Sequence, residues 1–567
     1  MRHIQVVLLA IVFGLSAQSA PGQDEAPTPA PVGGLGFVDE VDVRVVNVDV
    51  FVRDGAGQPV KGLSREDFRL LQDGKEVPIS NFAVLSKEVF RSVFSPALGE
   101  GAPPSAATAE NPIEIRPIFV VLYIDNENLR PMDRNRVLRR VRSFVTENLE
   151  DPVQMMVISY QRSLDVAQPF TDDSRAVNDA LRGMTRMSGG MVERDNTRRA
   201  IIDDLLEAKE GSGGTGRDQD PTVMRQRIYQ YAEEEASNLG FTLGAMRQAI
   251  AMLSGIEGRK SIIHISSGLP MTPGFGLMQE YAAVFGDNSV MANRSILDRT
   301  RSFQQLASAA NAQEVSLYTI DAEGLNPLGG GDAESAYGRD PVAASSASKN
   351  FKDSLDYLAD STGGISVINT NDIMPGLEKI AADLFDYYSL GYILKSADRD
   401  RVHRLSVEVP GHSKYDLRYR RRFVEKSRET RVQDRVFSSL MVDFDDNPME
   451  LALTPGKPNP ASGSRWTVPV HLSFPLEEVA LLELGGDYVG QVVLFIGAQD
   501  IKGRSSEIQR QDHELRIPAA DYEKALQQRF AIDFSLLLEE GQQRVSVGLM
   551  DQITRRASYE RIVVTVP

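Results

Sequence analysis

Pro117-Ile-Phe-Val-Val-Leu-Tyr-Ile-Asp125 is a run of bulky and β-branched residues that ends on a carboxylate. A short apolar run flanked by polar sequence reads as a strand buried on both faces, as strands of parallel sheets do. Asp125 then stands at the carboxyl end of that strand. In open α/β sheets ligands bind along this edge, because the loops leaving the strands open a crevice there. The next residues, Asn126-Glu127-Asn128-Leu129 and Arg130-Pro131-Met132-Asp133, predict a polar turn and then a helix, with Asp133 as its expected cap.

Outward from this strand the pattern alternates. Val137, Leu138, Val141, Phe144 and Val145 lie at helical spacing; residues 155–159 read as the next strand, with 164–170 paired beside it. Helix faces carrying Val177 and Leu181, then Leu243, Met246, Ile250 and Leu253, precede a strand at 261–266. Phe303, Leu306 and Ala310 precede another at 315–320. Phe351, Leu355 and Leu358 lead to 365–368, and Leu377, Ile380 and Leu384 mark a last helix. The expected fold is α/β, a doubly wound, mostly parallel, Rossmann-like sheet over residues 112–392 with short right-handed crossovers. Stretches 189–238, 269–294 and 322–350 interrupt it and read as long loops, the first containing Gly211-Ser-Gly-Gly-Thr-Gly216. Loops of that length are functional or disordered, so they are weighed as a protein-binding surface at the carboxyl edge or as solvated decoration.

Both flanks of this domain read as β-rich. Residues 1–20 join a basic start, Arg2-His3, to a short apolar core and the small residues Ser16-Ala17-Gln18-Ser19-Ala20, the pattern of a secretory signal peptide. The apolar core is short for a membrane span, and an uncleaved anchor is the alternative. Residues 21–40 are a Pro- and Gly-rich linker. Alternating valines, the turns at Asp54-Gly55 and Asp73-Gly74, and Ser64 and Asp67 as a capped helical turn make 41–94 a small β-domain. A linker at 95–111 leads to the α/β domain. After it come a β-extension at 393–424, a charged connector at 425–435, and a sandwich-like C-terminal domain over 425–567. Arg418, Arg420, Arg421 and Arg422 alternate along a strand and read as a solvated face rather than an anion patch.

Composition limits the partners. The 567-residue chain is 42% hydrophobic and 25% charged, ordinary for globular protein, and its length suggests about three or four domains. A net charge of −17 argues against nucleic acid or an anionic membrane as main partner. With no cysteine, an exported chain relies on its core for stability. No later segment carries the apolar run of a transmembrane helix, so no membrane span is expected after signal cleavage.

The strand ending in Asp125, with its polar turn and helix, resembles the start of a von Willebrand factor A (VWA) domain. Val50, Val52, Asp54, Gly57, Val60, Gly62, Leu63, Asp67, Phe68, Asp73 and Gly74 form a pattern similar to the N-terminal part of the VWFA-related proteins common in acidobacteria. The VWA resemblance implies a divalent cation, Mg²⁺ or Ca²⁺, on a D-x-S-x-S turn, a later threonine and a later S-D-G. Here Asp125 matches, Glu127 and Leu129 occupy the two serine positions, and Ser266-Ser267-Gly268 occupies the S-D-G. If a cation binds, Asp125, Glu127 and Ser267 are its expected ligands. The alternative leaves Asp125 and Glu127 as polar loop-edge groups without a metal. Thr171, Thr197 and Thr242 are candidates for the threonine, and Gly189-Gly190-Met191 stands where a G-T step belongs.

Enzyme motifs are missing from the sequence. There is no cysteine nucleophile, no H-E-x-x-H, no P-loop and no G-x-S-x-G elbow, and His264 reads as a satisfied core residue. The expected function is non-enzymatic: an exported protein, periplasmic or extracellular, that binds a protein partner at the carboxyl edge of its sheet and carries a degenerate metal site there. A metal-independent scaffold of the cell envelope is the second reading, and a hydrolase with an unrecognised site is the third.

Overall fold

The computed structural model describes residues 42–94, 116–210, 220–325, 341–396, 399–442, 444, 446–500 and 503–567. The expected signal peptide, the 21–40 and 95–111 linkers and the Gly211–Gly216 stretch lie outside the described residues. The chain divides into two compact units, residues 46–393 with 401–424, and residues 1–45 with 394–400 and 425–567.

The first unit is built on a six-stranded sheet of β1 (Ile118–Asp125), β2 (Val153–Gln161), β3 (Ser163–Thr171), β4 (Arg259–Ser266), β5 (Val315–Asp321) and β6 (Ser366–Val367). Its order is β6-β5-β4-β1-β2-β3, and every pair is parallel except the β2/β3 hairpin. This is the doubly wound, mostly parallel α/β sheet expected from the sequence. Strand order reverses at β1, so Asp125 stands at the switch point, where the flanking loops diverge. Val120, Leu122 and Ile124 are fully buried with Val137, Leu138 and Val141 of helix α1 (Pro131–Asn148), which accounts for the unbroken apolar run in β1. Helix α1 begins with Pro131, and its N-cap is Arg130; Asp133 lies within the first turn, not at the cap.

Further helices of the α/β region include α2 (Ser174–Met184), α3 (Met191–Glu210), α4 (Pro221–Met252), α5 (Phe275–Phe285), α6 (Thr300–Ala312), α7 (Pro341–Thr362) and α8 (Met374–Phe385). Much of the sequence expected to be long loops is therefore helical. Ile201, Ile202 and Leu205 of α3, Met224, Ile228 and Ala232 of α4, and Leu277, Met278 and Tyr281 of α5 bury one another in a separate apolar cluster. At 32 residues α4 is about 48 Å long. Thr242 contacts the Asp125 turn, so residues 221–241 run about 30 Å beyond the carboxyl edge. Helices α3, α4 and α5 thus make a folded cap over that edge. Glu235 pins it: its carboxylate accepts from Gly274 N at 2.7 Å and from the Tyr231 hydroxyl at 3.3 Å. Burial raises the Glu235 pKa above the ordinary carboxylate value.

Strands before and after the α/β region share two four-stranded sheets, rather than standing as a separate N-terminal domain and a later extension. In one, strands Asp416–Tyr419, Asp42–Arg53, Tyr387–Ser396 and Ile79–Leu85 lie side by side; in the other, Arg422–Glu425, Arg401–Glu408, Arg69–Gln72 and Lys75–Val77 do. Asp383 at the end of α8 joins them to the α/β part, pairing with Arg53 at 3.1 Å and Arg418 at 2.7 Å. Arg418 is consequently a half-buried structural cation and Arg420 pairs with Glu314 at 3.7 Å, whereas Arg421 and Arg422 are exposed as expected. Ser64 and Asp67 form the expected capping box around the turn Arg65–Asp67.

The second unit pairs Arg465–Pro475 with Arg529–Glu539 in one antiparallel sheet, and Asp487–Asp500 with Gln509–Pro518 and Gly541–Asp551 in another. Val468, Val470, Leu472 and Phe474 alternate toward a core shared with Leu494, Ile496, Val545 and Val547. Part of the expected charged connector is a helix, Arg428–Ser439, which buries Val432 and Val436 against Val493 and Phe495. Among the described residues no helix is long and apolar enough to cross a membrane, which says nothing about a β-barrel.

Candidate functional site

Asp125 ends β1 and accepts from the backbone N–H of Asn128, at 3.3 Å, closing the turn Asn126–Asn128. The Asn128 side chain folds back on it. Its Nδ2 donates to both carboxylate oxygens, at 3.0 and 2.9 Å, and lies 3.2 Å from Thr242 Oγ1. Ser266 Oγ donates to Asp125 Oδ2 at 3.1 Å, and His264 Nε2 lies 3.4 Å from the same oxygen. Asp125, His264 and Ser266 are all fully buried. A carboxylate withdrawn from water needs such donors, because an unpaired buried charge costs several kcal/mol.

Three arginines surround this turn. The guanidinium of Arg194, from α3, donates to the Glu127 carbonyl and, at 2.9 Å, to Asn128 Oδ1. Arg134 is fully buried and donates to Asn126 Oδ1 at 3.0 Å and to the Met187 carbonyl at 2.8 Å; burial lowers its pKa. Arg130 pairs with the buried Asp195 of α3 at 2.6 Å. Gly189 and Gly190 let the chain entering α3 reach the turn. A Cβ on Gly190 would lie 2.7 Å from Glu127 Oε2, and one on Gly189 would lie 2.4 Å from the Leu129 carbonyl oxygen. Burial, followed by the carboxylates of Asp125 and Glu127, pushes the Tyr160 phenol up to about 12.

The expected ligands take separate positions. Asp125 is committed to protein donors, and Glu127 is half-buried with its carboxylate at Gly190. Ser267 is 5% exposed; its backbone N–H donates to Asn128 O at 3.1 Å, and its hydroxyl has no hydrogen-bond partner among the described residues. Leu129 is fully buried in the core. Of the three threonines, Thr242 stands beside the Asp125 turn. Thr171 accepts from Asp173 N at 3.1 Å and Thr197 donates along its own helix to Glu193 O at 3.2 Å. Divalent cations of this kind need free oxygen lone pairs. Here the amide protons of Asn128 cover both Asp125 oxygens, and a guanidinium stands on the far side of that amide. The residues as arranged do not fit a divalent ion at Asp125. Sequence reasoning missed Asn128, which falls between the motif positions, and Arg194, which falls in a stretch read as loop.

No family profile matches the chain, and no curated protein does. Among solved structures, an aerotolerance-related membrane protein from Bacteroides fragilis is similar at 11% identity over 47% of this chain and 98% of its own, with a TM-score of 0.23. The von Willebrand factor domain of a type V pili tip protein from Porphyromonas gingivalis is similar at 12% identity over 47% and 95% of the two chains, with a TM-score of 0.25. A minor pilin from Streptococcus sanguinis is similar at 10% identity over 48% and 62%, also with a TM-score of 0.25. Likenesses of this size assign neither family nor function to the chain.

Proposed function

We propose that this is an exported, non-enzymatic protein of VWA type, periplasmic or extracellular, that binds another protein at the capped carboxyl edge of its α/β sheet without using a metal. The observation that carries this reading is where the α/β region leaves apolar side chains in water. Met132, Val192, Phe241, Ile296 and Leu325 are its large exposed hydrophobic residues among those described, from 47% to 84% exposed. All five stand on segments that leave or cap the carboxyl edge, the end of an open α/β sheet where diverging loops make room for a ligand. Metal independence is supported by the Asp125–Asn128–Arg194 chain, in which the Asn128 amide covers both Asp125 carboxylate oxygens and the Arg194 guanidinium holds that amide from its far side. Export is supported by the pattern of residues 1–20.

The test is crosslinked capture from a cell-envelope extract of the source organism, using the full chain with and without EDTA. A discrete partner captured equally in both, and lost with Met132→Asp and Phe241→Asp, is the expected result. Capture that needs added Mg²⁺ or Ca²⁺, or that ignores both substitutions, would overturn the reading.

A further inference from the structure

A second feature of the carboxyl edge concerns small anions and stands independently of the protein-binding reading. A cavity of about 380 Å³ opens beside the end of β5, and its lining shares no residue with the Asp125 turn. Arg136, Arg139, Arg140 and Ser143 line it from α1, with Asp321 and Asn371 opposite. The spacing of the four α1 residues, at i, i+3, i+4 and i+7, places them on one helix face.

The charges here are unequally committed. Arg136 is fixed at the rim by the carbonyls of Ala322, at 2.6 Å, and Glu323, at 3.0 Å, and by Asp133 at 3.3 Å. Asp321 is paired with Lys352 at 3.3 Å and accepts from Glu323 N at 2.9 Å. Arg139 and Arg140 are exposed and have no ion-pair partner among the described residues. Asn371 accepts from Leu325 N through Oδ1 at 3.0 Å, which orients the amide and leaves its two N–H groups to donate. In a chain of net charge −17 this is a local excess of uncommitted donors and positive charge. Remote acidic groups weaken it little, because salt screens them beyond about 10 Å.

We propose that the cavity binds a small molecule bearing an oxyanion, a carboxylate or phosphate gripped by Arg139, Arg140 and the Asn371 amide. Guanidinium forks match both groups, and the volume lies within the range of small-ligand pockets.

The experiment is calorimetric titration of the full chain with inorganic phosphate and, separately, with glutarate, at about 0.1 M ionic strength. The variants are the double substitution Arg139→Gln/Arg140→Gln and, as a control for general charge, Arg175→Gln on the exposed side of α2. One-site saturable binding of either anion, weakened by about tenfold or more in the double variant and unchanged in the control, is expected; tenfold corresponds to about one charge-assisted hydrogen bond. The two anions distinguish a phosphate ligand from a carboxylate one. Absence of saturable binding for both, or equal binding by the double variant, would overturn the proposal.

Discussion

Asp125 shows how one side chain changes what an edge can do. Its carboxylate is fully buried, and Asn128 supplies the closest donors to it. Replacing Asn128 by alanine leaves part of a buried carboxylate unpaired, with an expected loss of about 1–3 kcal/mol in denaturant unfolding. Glu235 gives a pH signature. Its native pKa lies above the ordinary value of 4.5 because of burial, so the folded chain holds that proton longer than the unfolded chain. Its contribution to stability is therefore greatest below pH 4.5 and is lost as pH rises through the raised native value. Glu235→Gln keeps an acceptor for Gly274 and removes the titration. Its melting temperature relative to wild type is expected to climb as pH rises above 4.5, and a pH-independent difference would refute the assignment.

The cap is the element that sets the character of the site. Helices α3, α4 and α5 share their own apolar cluster, in which Leu205 is 1% exposed. Leu205→Asp buries a charge there and is expected to open the cap while the β1–β2–β4 core persists. Hydrogen exchange would then rise in 191–210 and 221–235 and remain slow in 118–125. Gly190→Ala tests how closely the cap meets the turn: its Cβ would fall 2.9 Å from the Glu127 Cα, and overpacking of this kind costs about 1–3 kcal/mol. In the second unit, Ser427 caps the helix Arg428–Ser439 by accepting from Thr430 N at 3.2 Å. Ser427→Ala is expected to cost about 1 kcal/mol there.

For the whole molecule, the two compact units suggest separate unfolding. The second unit carries a continuous core of its own, from Met449 to Val566, together with the helix that buries Val432 and Val436. A fragment of residues 425–567 is expected to fold alone and melt cooperatively, with the near-ultraviolet signal of its single tryptophan, Trp466, lost at the same temperature as its β-structure. A fragment of residues 41–94 is expected to stay unfolded, since its strands complete their sheets only with partners from 387–425.

Elements whose packing is local and periodic are legible from the order of residues alone. The apolar run before Asp125, the 3.6-residue spacing of α1 and the alternation of the C-terminal strands each bury one face whatever their neighbours, and so are legible in one dimension. The capped turn at Ser64 and Asp67 was equally plain, since both groups lie within three residues. Tertiary structure alone decided which distant groups meet. Arg194 reaches Asn128 across 66 positions and Asp383 joins Arg53 across 330, and neither contact leaves a mark in local composition. The cap helices read as loops because their mean apolar pattern is diluted by polar residues, and only contact among the three of them makes burial favourable. The fate of the Asp125 carboxylate followed the same rule. Its motif position was visible, whereas the donors that enclose it come from a turn residue and a neighbouring strand, and an inserted helix holds that turn residue in place, an arrangement that only the fold brings together.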